Sequence, residues 1–132
     1  MTNPDAGSRM EPEAPDGTSD RISRYGSPDG LLTFLVIRHK DGDVSLGFDG
    51  FPSHTHGDII ARLPGLPEEQ AIAQYLDALL KSRSVIAIVT NSAGEISDVW
   101  VYNYPAETRD GGFLRQGEAI TFRHWDGTPF LP

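Results

Sequence analysis

The chain has no cysteine and very little lysine. Without cysteine it can form no disulfide, thiolate zinc site or cysteine nucleophile. Lys and Arg together number 11 against 19 Asp and Glu, which gives a net charge of −8. Nucleic acids and anionic membrane surfaces bind proteins through positive charge, so we expect neither as a partner. A basic protein, in contrast, would be attracted to this chain.

Long apolar runs and common catalytic signatures are also missing. No apolar stretch approaches the ~20 residues of a membrane-spanning helix. The start, Met1-Thr2-Asn3-Pro4-Asp5, lacks the basic and apolar segments of a secretory signal peptide, which predicts a cytoplasmic protein. The sequence contains no Gly-x-Ser-x-Gly elbow, phosphate-binding loop or dinucleotide fingerprint.

The first 30 residues differ in composition from the rest. They are rich in Pro, Gly, Ser and Asp, and Tyr25 is their only aromatic residue. Such a segment buries too little apolar surface to offset its ordering entropy. We therefore predict a disordered tail over 1–30, with a partner-binding arm as the alternative, and a single domain over 31–132.

The pattern that follows predicts strands around one helix. Leu31–Arg38 and Val44–Phe48 flank an Asp-Gly turn and predict a β-hairpin. The stretch 49–67 is irregular, and its segment 59–63 fits either a short helix or a strand. Pro67 and two glutamates then open a helix with apolar residues at helical spacing. Three further strands are predicted at Val85–Val89, Asp98–Tyr104 and Glu118–Trp125.

These elements predict an α+β fold in the order β-β-loop-α-β-β-β. One sheet of about five mostly antiparallel strands, with the main helix on one face, is the simplest packing. The run Val85–Val89 is apolar throughout, which is typical of a central strand buried on both faces.

The segment Ser53-His54-Thr55-His56-Gly57-Asp58, which we call the histidine loop, is the strongest candidate for a chemical function. In an extended segment, alternate residues point the same way, so His54, His56 and Asp58 would share one side. Two imidazoles and a carboxylate form a candidate metal face, and Gly57 would let the backbone bend close to an ion. A plain polar loop is the alternative, with Asp58 capping a short helix. His39 and His124, at strand ends, either approach this loop or are surface residues.

The histidine loop resembles part of the JAMM/MPN metalloprotease pattern, in which a His-x-His pair follows a strand and precedes a helix and a hairpin. Here His54 and His56 follow a predicted strand, and the resemblance covers roughly 44–104. It implies zinc at the two histidines. The pattern's Asp ligand is replaced by Pro67, so the third ligand would be Asp58 or Asp77.

An alternating aromatic strand is the rival site. Trp100, Tyr102 and Tyr104 share one face, opposite Val99 and Val101. If the helix covers the valine face, the aromatic face is open and suited to binding a partner. The alternative places the aromatics in the core. Near the carboxyl end, a polar and aromatic stretch contains an arginine at 123 that would pair with an acid or stack on an aromatic ring.

The small size, acidity and α+β pattern resemble bacterial toxin-immunity proteins. This resemblance implies a non-catalytic module that binds a basic protein through an acidic surface and the strand face of Trp100, Tyr102 and Tyr104. We expect no cofactor in that case. The alternative is a small metal-dependent hydrolase, in which zinc at His54, His56 and Asp58 would activate water.

Overall fold

The computed structural model describes residues 20–62, 64–102 and 114–131. Its described part is an α+β fold with seven strands and two helices. In chain order they are β1 (Arg21–Gly26), β2 (Thr33–Arg38), β3 (Val44–Phe48), β4 (His54–His56), α1 (Gly57–Arg62), α2 (Glu68–Leu80), β5 (Val85–Thr90), β6 (Ile96–Tyr102) and β7 (Ala119–Arg123).

The first four strands form an antiparallel meander in the order β1-β2-β3-β4. β2 and β3 are the predicted hairpin, which is confirmed. Their side chains alternate between a buried face and a half-exposed face, as expected for a sheet covered on one side. The buried face carries Tyr25, Phe34, Val36, Val44, Leu46 and Phe48.

The other three strands form a second antiparallel sheet in the order β6-β5-β7. The first five residues of β5 are all buried, which confirms the prediction of a central strand covered on both faces. A β-bulge interrupts the pairing of β5 with β6 beside Val89 and Thr90.

The expectation of one five-stranded sheet is therefore wrong. The described strands divide into sheets of four and three, because β4 and β1 extend the hairpin into a sheet of its own. β4 is only three residues long, too short to show a clear alternation. β1 lies within the expected tail over 1–30: Arg21–Gly26 pair with β2, and residues 1–19 lie outside the described residues.

The main core lies between the two sheets and α2. It joins the buried face of the four-stranded sheet to Ile86 and Val99 of the second sheet and to Ile72 and Leu79 of α2. α2 is the helix predicted from Pro67 onward, with Pro67 at its N-cap position. Neither helix in the described part of the chain is long and apolar enough to cross a membrane.

Candidate functional site

The face of the four-stranded sheet that points away from the core is built from two rows of paired residues. One row runs across the strands as Ile22, Ile37, Ser45 and His56. The next row runs as Arg24, Leu35, Gly47 and His54. We call these eight residues the outer face.

The outer face is uncovered by the described elements. All of its residues are half-buried except His54, which is exposed. Its large apolar side chains, Ile22, Leu35 and Ile37, belong to neither hydrophobic cluster of the described residues. Half-exposed apolar side chains gathered on one sheet face are typical of a surface that binds another molecule.

Acidic side chains stand at both ends of the outer face. Asp41 and Asp43 stand in the turn between β2 and β3, and Asp49 follows β3; all three are exposed. Asp20 precedes β1 and is half-buried. Arg21, Arg38 and Lys40 stand at the same end of the sheet as Asp20, Asp41 and Asp43, and Arg38 is ion-paired with Glu69 of α2.

The two histidines of β4 do share one side, as the spacing predicted. Their ring centroids are 5.1 Å apart in an edge-to-face arrangement. His54 Nδ1 donates to the carbonyl oxygen of Pro52 at 3.1 Å, and His56 Nδ1 donates to Asp43 Oδ2 at 3.2 Å. With a proton on each Nδ1, the neutral rings present their Nε2 lone pairs. Metal-bound histidines use the same kind of Nδ1 partner.

Asp58 does not extend this set. The strand ends at His56, and Asp58 lies exposed in the first turn of α1. Within the ranges 20–62, 64–102 and 114–131, no group of three or more His, Asp or Glu side chains is arranged to hold a metal ion. Zinc binding therefore stays a prediction that rests on His54 and His56.

Gly57 has a packing role that the sequence did not indicate. It is buried at the start of α1, and a Cβ there would collide with the carboxylate of Glu68 and approach Ile72 Cδ1 at 2.9 Å. The missing side chain thus allows α1 to lie against α2. Room for an ion was the expected reason for this glycine, and close helix packing is the observed one.

His39 takes part in a second polar group that sequence reasoning missed. Its Nδ1 lies 3.0 Å from Asp20 Oδ2, and its Nε2 lies 2.9 Å from Ser45 Oγ. Asp20 also accepts the backbone N–H of Lys40. The hydrogen bonds from His39 and Lys40 hold the pKa of the Asp20 carboxyl below its ordinary value. Asp20 is distant in sequence and lay in the expected tail, so only the pairing of β1 with β2 could reveal it.

The aromatic strand face is not open where it was expected to be. Trp100 is only 7 % exposed and packs with Ala87 and Val89 in a second hydrophobic cluster. Tyr102 is half-buried, with its ring 4.7 Å from that of Phe122. Tyr104 lies outside the described residues. Val99 is also fully buried, so both faces of β6 are covered at this level.

The remaining histidine lies apart from the loop. His124 follows β7, and its Nδ1 donates to the carbonyl oxygen of Ser84 at 3.0 Å. It supports the second sheet and does not join His54 and His56.

Comparison with known proteins gives no relative. No family model matches the chain, and no curated protein or solved structure matches it significantly.

Proposed function

We propose that this protein is a module that binds a basic protein through the outer face. The observation that carries the proposal is the set of half-exposed apolar side chains at Ile22, Leu35 and Ile37, which no described element covers. Apolar centres with polar rims are the usual composition of protein interfaces. The proposal moves the binding surface from the aromatic strand to the other sheet, because Trp100 is buried.

Charge supports a basic partner. The chain carries a net charge of −8, and Asp41, Asp43 and Asp49 stand exposed beside the outer face. Opposite charges steer two proteins together and raise the association rate. The resemblance in size and charge to toxin-immunity proteins is consistent with this role, in which the acidic surface would cover a basic toxin.

Site-specific photo-crosslinking tests the proposal. A benzophenone amino acid replaces Leu35 on the outer face, and the matched control carries it at Gln74, which is exposed on α2. In cells of the native host, position 35 should give a discrete adduct with a basic protein, and position 74 should not. Reversing charge with Asp41→Lys and Asp49→Lys should lower the yield of the adduct. Equal adducts at both positions, or none at position 35, would contradict the proposal.

Zinc binding is the second candidate function, and one observation favours it. Both histidines of β4 hold an acceptor at Nδ1, which leaves two Nε2 lone pairs on one side of the strand. Zinc would then activate a water molecule as the nucleophile of a hydrolase, with the third ligand unassigned.

Titration of zinc against a chromophoric chelator tests this second function. We expect one equivalent to bind and the His54→Ala/His56→Ala variant to lose it. His124→Ala, a histidine outside the loop, is the control and should bind zinc normally. Zinc binding that is unchanged in the double variant would reject the site.

A further inference from the structure

Asp20, His39 and Ser45 form a directed chain of hydrogen bonds. Asp20 is an acceptor when ionised, so the proton of the 3.0 Å contact lies on His39 Nδ1. The neutral ring then has its lone pair on Nε2, and Ser45 Oγ, 2.9 Å away, donates its proton to that atom. An acid, an imidazole and a hydroxyl in this order are the parts of an activated serine.

Ser45 borders a groove on the outer face. Ser45 lines a cavity of about 230 Å³ together with Leu35, Ile37, Phe51 and His54. Gly47, two residues along the same strand, also lines this cavity. The volume is below the roughly 300–1,000 Å³ of sites for drug-sized ligands, which favours a short apolar group.

We propose that Ser45 is a nucleophile that takes acyl groups from esters of short apolar carboxylic acids, with His39 as its general base and Asp20 as the positioning residue. This activity goes beyond the binding of a partner protein and does not depend on it. Neither the histidine loop nor the aromatic strand supplies a residue of this group.

The reaction balances with water as the only co-reactant. Ser45 Oγ attacks the carbonyl carbon of the ester while its proton moves to His39 Nε2. The bond from that carbon to the alcohol oxygen breaks, and the leaving alkoxide takes the proton from His39. Water then attacks the acyl-serine, gives a proton to His39 and releases the carboxylic acid, and the serine oxygen recovers that proton.

Acyl transfer from p-nitrophenyl butyrate tests the proposal. Imidazole side chains also hydrolyse such esters, so the measurement is the covalent adduct, trapped by acid quench and located by peptide mass spectrometry. We expect one butyryl group on Ser45 of the wild-type chain. The absence of an adduct on the wild-type chain, or an adduct on a residue other than Ser45, would overturn the proposal.

Variants test whether His39 acts as the general base. His39→Asn keeps a donor towards Asp20 but removes the Nε2 atom, and should lower the acylation rate constant about 100-fold or more. Ser97→Ala is the matched control, because Ser97 lies in the three-stranded sheet, does not line this cavity, and its Oγ donates to the carbonyl oxygen of Val89. It should acylate at the wild-type rate. An unchanged rate in folded His39→Asn, checked by circular dichroism, would reject the general base.

Long-range ¹⁵N NMR of the ring nitrogens tests the role of Asp20. The wild-type chain should show His39 as the Nδ1–H tautomer, and Asp20→Asn should shift the population towards the Nε2–H form. A purely structural Asp20 would leave the tautomer unchanged. An Nε2–H tautomer in the wild-type chain would overturn the proposal, because His39 would then donate to Ser45 instead of accepting its proton.

Discussion

At the scale of single residues, Arg123 connects the ends of the two sheets. It is 8 % exposed, and its guanidinium donates to Asp29 Oδ2 at 2.8 Å and to the carbonyl oxygens of His124 and Trp125. Asp29 follows β1, whereas Arg123 ends β7. The sequence predicted that Arg123 would pair with an acid or stack on an aromatic ring. The first alternative is confirmed, but the acid lies 94 residues away, and no local pattern could identify it.

Asp29 should make folding sensitive to acid. Hydrogen bonds from Arg123 and Ser27 hold its pKa well below the ordinary value of 3.8 in the folded chain. The unfolded chain therefore binds more protons at low pH, so this stabilisation is complete above pH 3.8 and is lost as the pH falls below it. Asp29→Asn should be less stable than the wild-type chain at neutral pH, and the difference should shrink on acidification.

Urea unfolding at a series of pH values measures this difference. Asp58→Asn is the control, because Asp58 makes no ion pair within the part of the chain that the structure describes. Its free energy of unfolding should differ little from that of the wild-type chain at each pH. A gap between Asp29→Asn and the wild-type chain that widens towards acid would contradict the assignment.

At the scale of elements, Gly47 sets how closely β4 pairs with β3. A Cβ at this position would lie 3.0 Å from the His54 Cβ and 3.0 Å from the carbonyl oxygen of Ser53. The neighbouring strand would have to move, and with it the histidine pair. The side chain and backbone N–H of Ser53 are also hydrogen-bonded to Asp98 of β6, so the start of β4 has little freedom to move.

Gly47→Val should therefore destabilise the fold by about 1–3 kcal/mol, the usual cost of forcing extra atoms into a packed site. Intrinsic strand preference alone would favour valine over glycine. Gly26→Val in β1 is the matched control, because nothing lies within 4 Å of the added Cβ there. It should be neutral or stabilising by urea unfolding. Equal effects of the two substitutions would show that strand spacing is not the cause.

The elements differ in how far their sequences specify them. α2 and the β2–β3 hairpin follow from periodicity and turn residues, which act locally. β4 has three residues and depends on pairing with β3, so its strand conformation is not encoded by an alternating pattern. The histidines of the candidate site sit on this strand. The sequence predicted their shared side but not that α1 begins at Gly57 and carries Asp58 away from them.

At the scale of the whole molecule, the order of predicted strands and helix predicted the fold class but not the division into two sheets. Five of the seven described strands were predicted. β4 and β1 were missed, β1 because its segment is poor in aliphatic residues. The described elements leave the outer face of the four-stranded sheet uncovered, whereas Trp100 of the three-stranded sheet is buried. Which sheet face is open depends on pairing between strands that are far apart in the sequence. No local pattern in a single sequence identifies such pairs.

The shared core predicts that the two sheets unfold together. Leu46 of the four-stranded sheet is 1 % exposed and belongs to the same cluster as Ile86 and Val99 of the three-stranded sheet. Both tryptophans, Trp100 and Trp125, lie in or just after strands of the three-stranded sheet. Trp125 belongs to the shared core and Trp100 to the second hydrophobic cluster, so tryptophan fluorescence reports on the core and on the three-stranded sheet, while a substitution at Leu46 acts first on the four-stranded sheet.

Leu46→Ala should lower the free energy of unfolding by about 2–5 kcal/mol, because it leaves a cavity in the core. In urea, the transition followed by tryptophan fluorescence should move to lower concentration by the same amount as the transition followed by far-ultraviolet circular dichroism. Ile120→Ala, in the second hydrophobic cluster, is the comparison: it is only half-buried and should cost less. If the fluorescence midpoint did not move in Leu46→Ala, the two sheets would unfold as independent units. The four-stranded sheet, which carries the outer face, would then unfold while the Trp100 cluster stayed folded.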